Sequence, residues 1–459
     1  MATKLQNAKD EIILATMESL VPEEHLVRKL DKYVKFNFIR ELAKPYYSDK
    51  GRPGYDPVVI FKIAIIKSVF GITSIRKTCE ELKVNIAYRW FIGIPFSEDI
   101  PDHSTYSKNY TNRFMGTGIY EEIFSNVLEQ IMNHNLLDLT NINIDSTHIK
   151  ARANKRKYLD TVVENEKSIF EEEMLEFINE KRKDDGDKPL PPKIKKEYKR
   201  KKESTSDPES GWLHKGEKEH QFAHNAHTVC DNNGYVITTK LLPSNVHDTQ
   251  GFGHIYEEVV SKYKEEIVSV AMDAGYYSGP LIKRVCDNGH LPLLPYNRKK
   301  GVKTNKANEY LTYDKELDIF VSESGAIYSY KNTNRQGYKI YRNDLKEVIF
   351  ISVYQDYFKY VRDLRLSDFG KETYSRRKET IERVFADLKE RHAGRYTHYK
   401  GNKKVSDHIL LTFACMNMKK MVNKLSKDNL VSHLFTKSKE ILRKILKFTI
   451  KKDMILNYI

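Results

Sequence analysis

Apolar positions cluster along the first third of the chain in helical rhythm. Pro57 stands at a helix start, and Val58, Ile60, Phe61, Ile63, Ala64 and Ile65 form a thick apolar helix that Gly71 ends. Ser74 is placed to cap a second helix, Ile75 to Leu82, and a break at Lys83-Val84 leads to a third, Asn85 to Phe91. Helix, tight break and helix give a helix-turn-helix outline, with Tyr88, Arg89 and Trp90 on the second member. An ordinary helical bundle with a surface arginine fits the same pattern.

The pattern changes at residue 141. Asn141-Ile142-Asn143-Ile144-Asp145 alternates polar and apolar as a strand does. Residues 150–205 then read as charged and helical without a sustained apolar stripe, and Pro189, Pro191 and Pro192 precede seven basic residues between Lys193 and Lys202. A solvated insertion and a DNA-backbone arm both fit that stretch. Ala226 to Cys230 and Tyr235 to Leu242 flank Asp231-Asn232-Asn233-Gly234, a hairpin signal. A helix (Gln250 to Tyr263), a strand (Ile267 to Met272) ending at Asp273, a helix (Pro280 to Asn288) and a strand (Leu291 to Leu294) follow. Residues 300–368 look β-rich and irregular. Lys371 to Arg391 reads as one long amphipathic helix, with Ile381, Val384, Phe385 and Leu388 on one face, and the stretch from Val405 as a basic helical tail. This order predicts one mixed α/β sheet with two insertions.

The length of 459 residues suits two or three domains, and 40% hydrophobic residues supply a sizeable core. The boundaries fall at 1–135 (helical), 136–400 (mixed core, with insertions at about 150–205 and 300–368) and 401–459 (basic helical tail). Lys+Arg 78 against Asp+Glu 63 leaves a charge of +15, which favours a polyanionic partner. Cys79, Cys230, Cys286 and Cys415 form no CxxC pair, and scattered thiols fit a reducing cytoplasm. Lys4, Lys9, Asp10 and Glu11 leave no secretory apolar segment, and no run approaches the roughly 20 apolar residues a membrane helix needs. A cytoplasmic protein with access to DNA is the expectation.

Three carboxylates are candidates for chemistry. Asp145 and Asp273 stand at strand ends, where neighbouring strands bring side chains together, and Gly275 lets the chain turn beside Asp273. Glu382 lies on the late helix, and Lys378 and Lys389, four before and seven after it, share its face. Such a trio binds hard divalent cations through oxygen. Two ions about 4 Å apart stabilise the attacking and leaving oxygens of an in-line phosphoryl transfer, with the lysines holding the phosphate backbone. Three ordinary acidic residues among 63 would look the same by spacing alone. His220, His224 and His227 have a spacing that suits zinc, against a substrate-facing or surface role; Trp212 suits base stacking, against a buried loop anchor.

The motifs resemble a known family. Tyr374, Arg377, Glu382 and Lys389 resemble the Tyr-Arg-Glu-Lys signature of bacterial insertion-sequence transposases of the DDE class. Asn143-Ile144-Asp145 through Asn154 resembles the first-Asp motif, and Asp273-Ala274-Gly275-Tyr276 the second. Tyr47-Ser48, Gly51-Arg52-Pro53, Asp56-Pro57, Pro101 to Thr105, Ser206 to Glu209 and Val246-His247-Asp248 match as well, so the resemblance spans roughly residues 15 to 425. It implies a ribonuclease-H-like mixed-sheet core behind an all-α DNA-binding domain, and Mg²⁺ or Mn²⁺ as cofactor, with two ions. It also implies terminal inverted repeats and target DNA as substrates, a synaptic homodimer, and a nucleoid-associated bacterial location. By the same resemblance Asp145, Asp273, Glu382 and Lys389 are catalytic, the three carboxylates hold metal, and Arg89, Trp90, Tyr374, Arg377, Lys378 and Lys389 contact DNA. Two departures stand out. Arg377 precedes Glu382 by five positions, with Lys378 in the four-back place, and Ser322 stands where some relatives carry a cysteine, so no structural zinc is expected. A stand-alone nuclease and a non-catalytic DNA binder are the alternative functions.

Overall fold

The structure, a computed structural model, describes residues 14–48, 50, 54–164, 170–192, 198–215, 219–246, 248–295 and 311–427. Gly51-Arg52-Pro53, His247, the first half of the basic run at 193–197 and the tail beyond 427 lie outside them. The chain divides into two compact units. One comprises residues 1–136, 386–398 and 403–446; the other comprises 137–385, 399–402 and 447–459.

The described part of the first unit is helical. Its centre is α1 (Pro57–Val69), opened by Asp56, whose side chain accepts from the Val58 amide, with Pro57 in the first turn. Ile60, Phe61, Ile63, Ala64, Ile65 and Ile66 are all buried, so this helix is apolar on every side because every side is packed. Then come α2 (Ile75–Val84), capped by Ser74, and α3 (Ile86–Ile92), capped by Asn85. Asn85 ends one helix and starts the next, which produces the expected tight break. The long helix Asn402–Lys427 joins this unit from residue 403 onward, burying Ile409, Phe413, Met418 and Met421. No helix among the described residues is long and apolar enough to cross a membrane.

The second unit is built on a six-stranded mixed sheet. Its strands are β1 (Asn141–Lys150), β4 (Gly211–Lys215), β5 (Glu219–Cys230), β6 (Val236–Pro243), β7 (Ser269–Met272) and β8 (Leu291–Leu293). The order is β4-β5-β1-β7-β8, with β6 also on β5. β1 runs antiparallel to β5 and parallel to β7, and β7 is parallel to β8. Helix α4 (Asp248–Tyr263) links β6 to β7. This mixed sheet with its helices is the architecture expected of a ribonuclease-H-like core.

Both insertions differ from expectation. Residues 150–205 are not simply helical: β2 (Tyr158–Glu164) and β3 (Tyr198–Ser204), which flank the helix Glu171–Asp184 in sequence, form an antiparallel ribbon. Cross-strand pairing organises a stretch that carries no helical apolar stripe. The second insertion is a five-stranded antiparallel sheet, β9 (Leu311–Asp314), β10 (Ile319–Ser322), β11 (Ile327–Thr333), β12 (Tyr338–Arg342) and β13 (Val348–Ser352), whose small core is Tyr328, Tyr341 and Ile349. The helix Gln355–Leu366 then replaces the expected irregular end. The late helix is also interrupted. Asp368–Ser375 and Ile381–Arg391 are separated by a 3-10 turn at Arg376–Lys378, where the Thr380 hydroxyl donates to the Arg376 carbonyl.

Candidate active site

The site follows from strand register. Asn141 to Ile144 on β1 pair in parallel with Ser269 to Met272 on β7, so Asp145 and Asp273 are the next positions on adjacent strands. β7 ends there, whereas β1 continues to Lys150 because β5 pairs with it that far. Asp145 therefore lies inside a strand, not at its end. It is the parallel neighbour that ends, and this opens the space beside both carboxylates. Carboxyl ends of parallel strands are where α/β sheets gather their ligands.

Each carboxylate is held by the backbone that follows it. Asp145 Oδ1 accepts from the Ser146 amide at 2.7 Å, and Asp273 Oδ1 from the Gly275 amide at 2.7 Å. Asp145 Oδ2 accepts from Arg377 Nη2 at 2.7 Å, with only 5% of the arginine side chain exposed. Burial pushes the Asp145 carboxyl up to about 6; Arg377 opposes that rise, and the charge of Asp273 adds to it. Arg377 also donates to the Tyr374 hydroxyl at 3.3 Å. The interruption of the late helix thus has a use: it turns Arg377 inward onto the first carboxylate, while Lys378 stays exposed.

A third carboxylate stands beside them. Asp248, the first residue of α4, accepts from the Ser146 hydroxyl at 3.0 Å and from the Asn225 amide at 3.3 Å. A Cβ at Gly275 would lie 3.0 Å from both Asp248 Oδ2 and Asp273 Oδ1, so glycine keeps clear the space these oxygens face. Behind them Tyr276 is fully buried, its hydroxyl 3.4 Å from His227 Nδ1. Burial, then the charge of Asp248, raises its pKa well above the usual phenol range, so it remains protonated. His227 is pushed down to about 4 by burial and stays neutral. Gly251 of α4 lets the helix approach the His227 ring, where a Cβ would lie 2.4 Å from it. Asp248 sits in the matched Val246-His247-Asp248 motif, and an acidic residue at a helix start was the available signal of its role.

The remaining expectations divide. Glu382 is exposed in the first turn of Ile381–Arg391 and has no ion pair with a described residue. Among the described residues no group of three or more His, Cys, Asp or Glu is arranged to hold a metal ion. The structure thus pairs Asp145 with Asp273 and does not gather Glu382 onto them. Lys389 lies two turns after Glu382 on the same helix; Lys378, in the 3-10 turn, does not share that helix face. Arg89 is buried, donating from Nε to the Ile94 carbonyl at 3.2 Å and from Nη2 to the Pro95 carbonyl at 2.6 Å and to that of Glu98. The guanidinium holds a loop and does not face solvent. Trp90 donates to Glu18 at 2.6 Å, under the Arg28 guanidinium.

The histidine trio is divided by strand geometry. Residues three apart on β5 point to opposite faces, so His224 and His227 cannot share an ion. Both are buried, which corrects the surface role expected of them. His224 Nε2 lies 3.1 Å from Asp207 Oδ2, and Asp207 Oδ1 accepts from the Gly401 amide at 3.0 Å. The matched Ser206 to Glu209 motif is therefore an internal clamp. Trp212 is half-buried on β4 against Tyr158 and Phe222.

Comparison with known families decides the assignment. The Transposase DDE domain model matches residues 140–418, more than half of the chain, and the Transposase domain (DUF772) model matches residues 15–112. The chain belongs to the DDE transposase family. It is an insertion-sequence transposase, and DNA cleavage and transfer is its activity at family level. No curated protein matches the chain. The transposase family generally works with divalent metal ions, and the site suits them: two adjacent carboxylates offer hard oxygen donors beside a space that a Cβ at Gly275 would fill.

Proposed function

We propose that the transposase binds the terminal inverted repeats of its element as a homodimer, hydrolyses a phosphodiester at each end and joins the freed 3′-OH to target DNA. The in-register placement of Asp145 and Asp273 at the ends of parallel pairing carries this reading. Both carboxylates would hold Mg²⁺ or Mn²⁺, with Glu382 completing the set when the late helix is seated against DNA. Bound ions supply the charge that stabilises the attacking and leaving oxygens of an in-line displacement. Arg377 keeps Asp145 ionised and aimed; Lys378 and Lys389 take the phosphate backbone. The first unit, with its α2–α3 outline and the chain's net charge of +15, would carry the DNA-end-binding role. A DNA substrate places the protein in the cytoplasm, at the nucleoid.

The test is a labelled repeat-end oligonucleotide with Mg²⁺, scored in parallel for binding, nicking and joining. Asp273→Asn and Glu382→Gln keep size and remove charge. Each is expected to bind like wild type and to lose cleavage and joining together, by roughly 10³-fold, as when a preorganised electrostatic group is removed. A Glu382→Gln protein that cuts and joins at the wild-type rate removes Glu382 from the site. An Asp273→Asn protein that does so ends the mechanism.

A further inference from the structure

The β2–β3 ribbon carries chemistry that neither the main sheet nor the carboxylate site uses. Its two strands pair from Tyr158 with Ser204 to Glu164 with Tyr198, and neither pairs with another strand among the described residues. β3 reads Tyr198-Lys199-Arg200-Lys201-Lys202-Glu203-Ser204. Lys199 and Arg200 are exposed and Lys201 is half-buried, and none of the three has an ion pair with a described residue. Leu159, Val162 and Tyr198 are 60%, 67% and 65% exposed, so both faces of the ribbon present apolar side chains to solvent. A two-stranded pair on its own is marginal in water, and this one is fixed at its root. Lys202 Nζ stands 4.6 Å from the Tyr158 ring centre and 4.8 Å from that of Trp212, on β4. The approach to the ribbon adds Lys150, Arg152, Lys155, Arg156 and Lys157. Lys150 and Lys155 line a cleft of about 460 Å³ together with His220 and Gln221.

We propose that this ribbon is a DNA-holding arm of the transposase, which lies in a groove of duplex DNA with Lys199, Arg200 and Lys201 on phosphates. The inference rests on the DNA-end-binding function above and adds a surface to it. A two-stranded antiparallel ribbon is one of the two shapes the major groove admits. Side chains alternate along β3, so Lys199 and Lys201 leave one face, roughly 6.6 Å apart, and Arg200 leaves the other. A ribbon inserted between two sugar-phosphate walls thereby meets each with a cation. The anchored root gives the arm a fixed direction, and the cations beyond it have no ion pair with a described residue to give up.

The experiment uses the full chain in EDTA, so that no cleavage intervenes, with a labelled repeat-end duplex and KCl varied from roughly 50 to 200 mM, the range over which phosphate contacts show their salt dependence. The variant is Lys199→Ala, Arg200→Ala and Lys201→Ala together. A control variant removes equal charge from the second insertion, at Lys315, Lys331 and Lys346, all exposed. Each phosphate contact contributes about 0.9 to the slope of log K against log salt, so the ribbon variant is expected to flatten that slope by roughly 2.7 and to weaken binding about tenfold or more at low salt. The control is expected to keep the wild-type slope, and thermal unfolding of both variants to match wild type. A ribbon variant with wild-type slope and affinity, or a control variant with the same loss, overturns the arm and leaves the proposed function standing. A wild-type chain that binds no duplex overturns both.

Discussion

The two units treat buried charge in opposite ways. In the helical unit several buried polar groups are paired within the unit. Lys67 donates to His408 Nε2 at 2.6 Å, Tyr110 to Asp407 at 2.8 Å, and His392 Nδ1 to the Ser68 carbonyl at 2.8 Å. In the sheet unit the Asp207–His224 clamp is of that kind, whereas Asp145 meets the like charges of Asp273 and Asp248 as well as its Arg377 partner. The three acids come from β1, the end of β7 and the start of α4, and Asp273 Oδ1 and Asp248 Oδ2 face the space beside Gly275. A buried charge with one partner and nothing in front of it stabilises an arrangement of helices. Acidic groups brought together near the end of parallel pairing oppose one another's ionisation, and perturbed carboxylates of this kind cluster at functional sites.

The pair Arg377–Asp145 is where that contrast is easiest to break. Asp145 is partly compensated by one guanidinium that is itself almost wholly buried. Arg377→Ala leaves the carboxylate without its partner and is expected to destabilise the chain by about 3–4 kcal/mol, as removal of one member of a buried pair does. Adding Asp145→Asn is expected to recover most of that loss. Urea denaturation of the single and double variants measures it. If the single variant is as stable as wild type, the pair does no structural compensation, and the sheet unit resembles the helical one less than its geometry indicates.

Much of this was legible in the sequence, for physical reasons that also explain what was not. The apolar run from Val58 to Ile66 and the alternation of Asn141 to Asp145 are local signals, and the elements they predict are present. The neighbouring positions of Asp145 and Asp273 were expected from two strand ends in one sheet; β7 alone ends there, and its parallel register with β1 brings the two together. The ribbon was missed because cross-strand pairing between Tyr158–Glu164 and Tyr198–Ser204 joins residues about 40 apart, and charged residues hide the alternation. The interruption at Arg376–Lys378 was missed because the helical periodicity of 381–388 continues smoothly when extrapolated backward. What breaks the helix is Arg377 turning to a carboxylate 232 positions away. Arg89 was misplaced for the same kind of reason: an arginine on a helix reads as exposed until the loop that folds over it is known.

The helical unit offers the complementary test, a buried charge whose cost is visible in pH. Burial pushes Lys67 from its usual 10.5 down to about 8. Between those values the folded chain binds fewer protons than the unfolded chain, so this group makes stability rise with pH across that window, and below about 8 the full cost of the buried charge applies. The rise amounts to up to about 3 kcal/mol. Lys67→Met is expected to remove it. Thermal or urea unfolding of wild type and variant at several pH values from 7 to about 10.5 gives the difference, in which the opposing ionisation of Cys415 and the tyrosines largely cancels. A difference that is flat across the window means that Lys67 titrates in the folded chain as it does in the unfolded chain, hydrated and charged up to its usual pKa.

The smallest expected effect separates a loop clamp from a DNA contact. Arg89 satisfies three carbonyls, those of Ile94, Pro95 and Glu98, from one planar group on α3. Arg89→Lys keeps the charge but cannot reproduce the fork, so at least one carbonyl loses its donor, at a cost of about 1–2 kcal/mol. If the group is a clamp, the variant unfolds at lower denaturant concentration yet binds repeat-end DNA with wild-type affinity and salt slope under conditions where it remains folded, because no phosphate contact has changed. If it is a DNA contact, lysine preserves most of the phosphate attraction and stability is unchanged, while Arg89→Ala flattens the salt slope by about 0.9. Arg89→Ala therefore belongs in the same experiment. A flattened slope in a stably folded Arg89→Ala chain would show that the loop opens on DNA and that α3 reads it with this residue. An unchanged slope with reduced stability would leave α3 to meet DNA, if it does, through the exposed end of the α2–α3 break near Lys83.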